Sequence, residues 1–132
     1  MPEEHVEAVR GVYERWGAGD FRATLDVIDP LILFVMGPDF PDTGTYLGIE
    51  GLRAYTRGFL EPWSRITVEA EEITPAGDSV VAAVRQSGVG GGSGVATDFR
   101  YFHVWTFRGG RAIRLETFRE RADALDAVGL SN

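Results

Sequence analysis

The chain of 132 residues contains no cysteine, no lysine and only two histidines, His5 and His103. Without cysteine there is no disulfide, no thiol nucleophile and no thiolate metal site, and the redox compartment is left open. Without lysine there is no Schiff-base chemistry and no phosphate-loop lysine; all thirteen basic residues are arginine. Two histidines, one of them at the N-terminus, do not make a metal site. No stretch reaches the ~20 apolar residues that span a bilayer. The acidic start, Met1-Pro2-Glu3-Glu4-His5, has no apolar run behind it of the kind a secretory signal needs. The net charge of −7 opposes nucleic-acid binding, which requires a basic surface. Gly90-Gly91-Gly92-Ser93-Gly94 lacks the Lys-Ser/Thr of a phosphate loop and reads as a hairpin or bulge. The expectations are a cytoplasmic protein with no cofactor, no metal, no nucleic-acid partner and no membrane contact.

What is present fits one domain, which at this length buries roughly two-thirds of its unfolded surface. Val6, Val9, Val12, Tyr13 and Trp16 recur at helical intervals, and Gly17-Ala18-Gly19 ends that helix. A second, short helix is expected from Phe21 to about Ile28, stopped by Asp29-Pro30. Leu31 to Met36 is a continuous apolar run, predicting a strand buried on both faces. Gly37 to Gly44 is a loop. Leu52, Tyr55, Phe59 and Trp63 share a stripe of a helix predicted from Glu50 to Trp63. Strand patterns follow from Ile66 to Ala70, Ser79 to Ser87, across the aromatic stretch, and Arg111 to Arg119; a short helix carries Ala122, Leu125 and Val128. Helices followed by a meander predict an α+β domain, helices on one face of an antiparallel sheet.

The aromatic stretch is the most informative segment. Phe99, Tyr101, His103, Trp105 and Phe107 alternate, so in a strand they share one face. Rings with a single imidazole among them suit either a packed core or an apolar cavity with one polar group, the usual form of a small-molecule site. The other face carries Arg100, Phe102, Val104 and Thr106. That face is too apolar for a wetted sheet surface, and it predicts a homodimer formed sheet to sheet.

The order of elements resembles the SnoaL-like branch of the nuclear transport factor 2-like superfamily, to which the ketosteroid isomerases also belong. The matching pieces are Gly19-Asp20, Asp29-Pro30, Tyr46-Leu47-Gly48-Ile49-Glu50-Gly51-Leu52, the run His103-Val104-Trp105-Thr106-Phe107-Arg108-Gly109-Gly110-Arg111-Ala112-Ile113, and Arg121-Ala122-Asp123-Ala124-Leu125. The resemblance implies a cone: a curved antiparallel sheet wrapped against three N-terminal helices, with a short C-terminal helix and an apolar cavity open at one end. It implies no single reaction, since the fold hosts isomerases, dehydratases, cyclases, epoxide hydrolases and binders.

On that cone His103 falls where isomerase relatives carry an acid that donates to a developing oxyanion, and an imidazole can donate there too. The carboxylate base of those relatives is replaced by Phe34, which argues against steroid isomerase chemistry. Asp39 and Asp42 read as turn residues. Arg85 is the candidate buried cation, but Asp98 and Glu116 have outward parity, so the acid pair of an epoxide hydrolase is not assembled. Glu120 is the nearest match to a cyclase acid, or a helix-start charge. His103 is therefore the catalytic candidate. Tyr13, Trp16, Phe34, Tyr46, Phe59, Trp63, Arg85, Tyr101, Trp105 and Thr117 are the candidate ligand contacts, and His5 is expected to be inert. Two functions stand: a cofactor-free isomerase, cyclase or dehydratase on a hydrophobic ring compound, with His103 as donor or acid/base, or a non-catalytic protein holding an apolar ligand in the same cavity.

Overall fold

Alternation carries the second half of the chain into strands, and helical spacing carries both ends into helices. The computed structural model describes residues 2–22, 26–40 and 43–130. Its elements are α1 (Pro2–Gly17), β1 (Ile28–Met36), β2 (Gly44–Leu47), α2 (Gly48–Leu60), β3 (Trp63–Ala76), β4 (Ser79–Gly90), β5 (Ala96–Arg108), β6 (Arg111–Phe118) and α3 (Arg121–Ala127). Among the described residues the strands form one curved, unclosed sheet in the order β2-β1-β6-β5-β4-β3. This is the expected α+β cone. Its pairings are antiparallel except β1 with β6, which run parallel, so the sheet is mixed rather than purely antiparallel.

The expected helix from Phe21 to about Ile28 falls partly on residues 23–25, outside the described residues; Phe21–Arg22 and Asp26–Val27 on either side are not helical, and Ile28 opens β1. Asp42 also lies outside the described residues. β1 is buried on one face only: Ile32, Phe34 and Met36 point inward while Leu31 is 76% exposed. α2 ends at Leu60, so Trp63 belongs to β3 and not to the helical stripe. Pro62 cannot continue the helix, and the Trp63 ring lies over Gly88 of β4, where a Cβ would come within 2.8 Å of it.

α1 and α2 pack on the concave face, where Val9, Val12, Ile32, Val80, Val84, Trp105 and Leu115 form the main core. His5 is part of this layer, not an inert end: it is buried and stacks on Phe107 at 4.5 Å and 9°. The convex face has its own small cluster, in which Ala124 of α3 covers Val81 and Val104, with Phe102, Phe118 and Val128 around them. The apolar strip on the outer side of β5 is thus closed in part by the chain's own last helix. Farther along the same face, exposed ion pairs take over: Arg85–Asp98 at 2.8 Å and Arg100–Glu71 at 2.7 Å.

Ala124 is fully buried, and an aspartate there would be a charge without a partner. Ala124→Asp is expected to cost about 3–5 kcal/mol, read as a lowered midpoint in urea. Unchanged stability would show that α3 does not hold the convex cluster together.

Candidate functional site

The aromatic ladder of β5 divides along its length. Trp105 and Phe107 are buried in the core at the closed end of the cone, whereas His103, Tyr101 and Phe99 face a cavity of about 1200 Å³. Register explains the walls. On the concave face His103 stands beside Ala82 of β4 and Thr117 of β6; Tyr101 stands beside Val84, and Phe99 beside Gln86. Met36 adjoins Thr117 and Phe34 adjoins Leu115 across the parallel pair. α1 contributes Val12 and Trp16, and α2 contributes Leu52, Tyr55 and Phe59.

Of the residues expected to touch a ligand, the structure brings His103, Trp16, Phe34, Phe59, Tyr101 and Thr117 to this cavity. Tyr13 and Trp105 are outside the cavity lining, hydrogen-bonded to each other, with Tyr13 bonded in turn to His103. Tyr46 packs against Phe34 and Tyr55, one layer out from the lining. Trp63 covers Gly88. Arg85 is on the convex face, paired with Asp98, so it is not a buried cation of the site. Glu120 is the exposed N-cap residue of α3, and Asp39 is exposed beside a small surface depression. Gln86 was missed: it is buried, lines the cavity and accepts a hydrogen bond from the Tyr101 hydroxyl at 2.8 Å. Gln86 shares the parity of Val80, Ala82 and Val84, but Val81 and Ala83 between them are equally apolar, so the sequence alone did not mark it as inward.

His103 is fixed by two buried hydrogen bonds in series. The Trp105 Nε1–H donates to the Tyr13 hydroxyl oxygen at 2.9 Å, and that hydroxyl lies 2.6 Å from His103 Nδ1. An indole N–H can only donate. No other acceptor for the Tyr13 proton occurs among the described residues, so Tyr13 donates to Nδ1 and the imidazole carries its proton on Nε2. Burial alone holds His103 at about 3, against 6.5 for a free imidazole, and burial likewise raises the Tyr13 phenol well above its ordinary value. Both groups are therefore neutral at pH 7. Because Tyr13 sits behind the ring, the Nε2 edge is the one that faces the cavity. On the neighbouring strand, opposite His103 in register, the Thr117 hydroxyl is buried with no hydrogen-bond partner among the described residues.

The mouth has a different character. Arg15, Arg22, Arg53, Arg57 and Arg119 line it with one carboxylate, Asp20. Arg22 grips Asp20 through two side-chain bonds, at 2.9 and 3.0 Å, and holds that carboxyl down at about 2.

A sequence model of the SnoaL-like domain matches residues 9–115. The chain belongs to the SnoaL-like family. Among solved structures, this SnoaL-like chain is similar to a protein named as a SnoaL-like polyketide cyclase from Jannaschia sp. CCS1, at 22% identity and a TM-score of 0.78, covering 100% of this chain and 96% of the other. It is similar to an NTF2-like protein from Burkholderia thailandensis E264, at 27% identity and a TM-score of 0.76, covering 91% and 95%. A third similar structure is TerC co-crystallized with polyporic acid, at 21% identity and a TM-score of 0.75, covering 95% and 97%. No protein of curated function matches the sequence.

Two outcomes follow from the buried relay. Tyr13→Phe leaves the Trp105 N–H and His103 Nδ1 unpaired and is expected to cost about 1–3 kcal/mol, measurable by urea unfolding. The unfolded chain protonates His103 near pH 6.5 while the folded chain resists until about pH 3. Stability is thus complete above that window and declines as the pH falls through it. His103→Gln should flatten the melting temperature between pH 6.5 and 3 relative to the wild type; parallel curves would contradict a neutral, buried imidazole.

Proposed function

We propose that this protein binds a hydrophobic ring compound in the cone and directs a neutral donor, His103 Nε2–H, at a carbonyl or enolate oxygen of that compound. The observation that carries this reading is the Trp105–Tyr13–His103 relay, which fixes the tautomer and aims the ring. The free Thr117 hydroxyl, a cross-strand neighbour of His103, supplies a second donor within reach of the same oxygen, and Gln86 and Tyr101 add a polar pair along the wall. Such a pair of preorganised donors stabilises charge that develops on oxygen. It suits isomerisation, ring closure by carbon–carbon bond formation, or dehydration, with no cofactor. A donor locked on Nε2 with a pKa near 3 is not a general base, so His103 acts by donating a hydrogen bond. The likeness to a protein named as a polyketide cyclase and to one co-crystallized with polyporic acid supports a cyclic, oxygenated ligand.

A second reading, a carrier that holds the ligand without chemistry, rests on one specific feature. Among the described lining residues the sole carboxylate, Asp20, is at the mouth and tied to Arg22, so the interior holds no evident base. His103→Ala separates the two once a ligand class has been found by thermal shift across steroids, aromatic polyketides, terpenoid epoxides and fatty acids. Catalysis predicts a loss of turnover of about 10²–10³-fold, the worth of one oxyanion donor. Carriage predicts weaker binding by about 1 kcal/mol and no reaction to lose. No stabilisation by any class would remove the pocket reading itself.

A further inference from the structure

We infer that the natural ligand is an amphipathic anion: a ring system that fills the cone, with an acidic group that stays at the mouth among the arginines. This rests on the pocket reading above and adds the ligand's charge and orientation. The chain as a whole is acidic, with twenty carboxylate residues against thirteen arginines. The cavity inverts that balance, since its lining carries five guanidiniums and a single carboxylate. The arginines come from three separate parts of the fold: the C-terminal turn of α1 and the segment after it, the exposed side of α2, and the residue that follows β6. Their convergence is therefore a property of the folded mouth and not of one basic stretch.

On the convex face, arginines are matched with acids, as in Arg85–Asp98, Arg100–Glu71 and Arg121–Glu72. At the mouth, Arg22 and Arg53 are paired with Asp20 and Glu50 at 2.9 and 3.1 Å, whereas Arg57 and Arg119 have no ion pair among the described residues, and Arg119 stands over the Phe40 ring at 6.0 Å. A planar guanidinium over an aromatic ring beside an apolar cavity is a ready partner for a carboxylate, an acidic enol or a sulfonate. The interior beyond it offers only neutral donors and rings, so a permanently ionised acidic group on the ligand is favoured at the rim. Low-dielectric walls concentrate the field of the rim over the opening.

The test uses two dyes with one aromatic body: anilinonaphthalene sulfonate, an anion, and phenylnaphthylamine, which lacks the sulfonate. Both are titrated by fluorescence against the wild type, Arg57→Gln/Arg119→Gln, and a control with the same charge change at the far end of the sheet, Arg108→Gln/Arg111→Gln. The proposal expects the mouth variant to weaken the sulfonate dye about 3- to 10-fold, the control to change it less than about twofold, and the neutral dye to respond to neither. Raising the salt should shrink the sulfonate dye's dependence on the mouth. Equal behaviour of the two dyes, or equal losses in the mouth and control variants, would overturn the anion assignment while leaving the pocket intact. Binding of neither dye would overturn the pocket reading and this assignment with it.

Discussion

The candidate site depends on a hydrogen-bond relay whose inner members, Tyr13 and Trp105, lie outside the cavity lining. Tyr13 of α1 stands between Trp105 and His103 of β5, accepting from one and donating to the other, and so ties the helix to the sheet at the depth where the core gives way to the cavity. Two consequences come from this one contact. It satisfies an indole and a phenol that would otherwise be costly to bury, and it decides which nitrogen of His103 carries the proton. Packing and the tautomer of His103 are set by the same oxygen, and the imidazole is oriented by groups that belong to the core.

The fold was largely legible in the chain, and the site only in part. Period-two alternation in β5 was unambiguous because its concave positions from Phe99 to Phe107 are all rings, and the helical spacing of α1 was equally clear. β4 was harder. Val81 and Ala83 are as apolar as Val80, Ala82 and Val84, because α3 lies over Val81 on the convex face. With both parities apolar, nothing local said that Arg85 points out and Gln86 in. A distant helix had erased the difference. The same helix covers Val104 on the outer side of β5.

The opposition of core and cavity that the aromatic ladder raised has a positional answer. The five alternating residues occupy one face, but α1 crosses only one end of it closely. His5 and Tyr13 of α1 cover Phe107, Trp105 and one side of His103; the other side of His103, with Tyr101 and Phe99 beyond it, faces open volume. Sequence periodicity reports which face a residue is on, and not how far away the next layer lies. The arginines of the mouth were invisible for a related reason, as they are scattered from Arg15 to Arg119 and meet only in three dimensions.

The parallel pairing of β1 with β6 has a bearing on how the molecule is made. β6 is the last strand synthesised, yet it sits between β1 and β5 near the middle of the sheet. Until it inserts, the first strand has only the short β2 as a neighbour, and the wall that carries Thr117 and Leu115 does not exist. Contacts between the two ends of a chain are the slowest kind to form. The concave face therefore lacks the wall of β6 until that strand is in place, and the cavity is among the last parts of the fold to be completed.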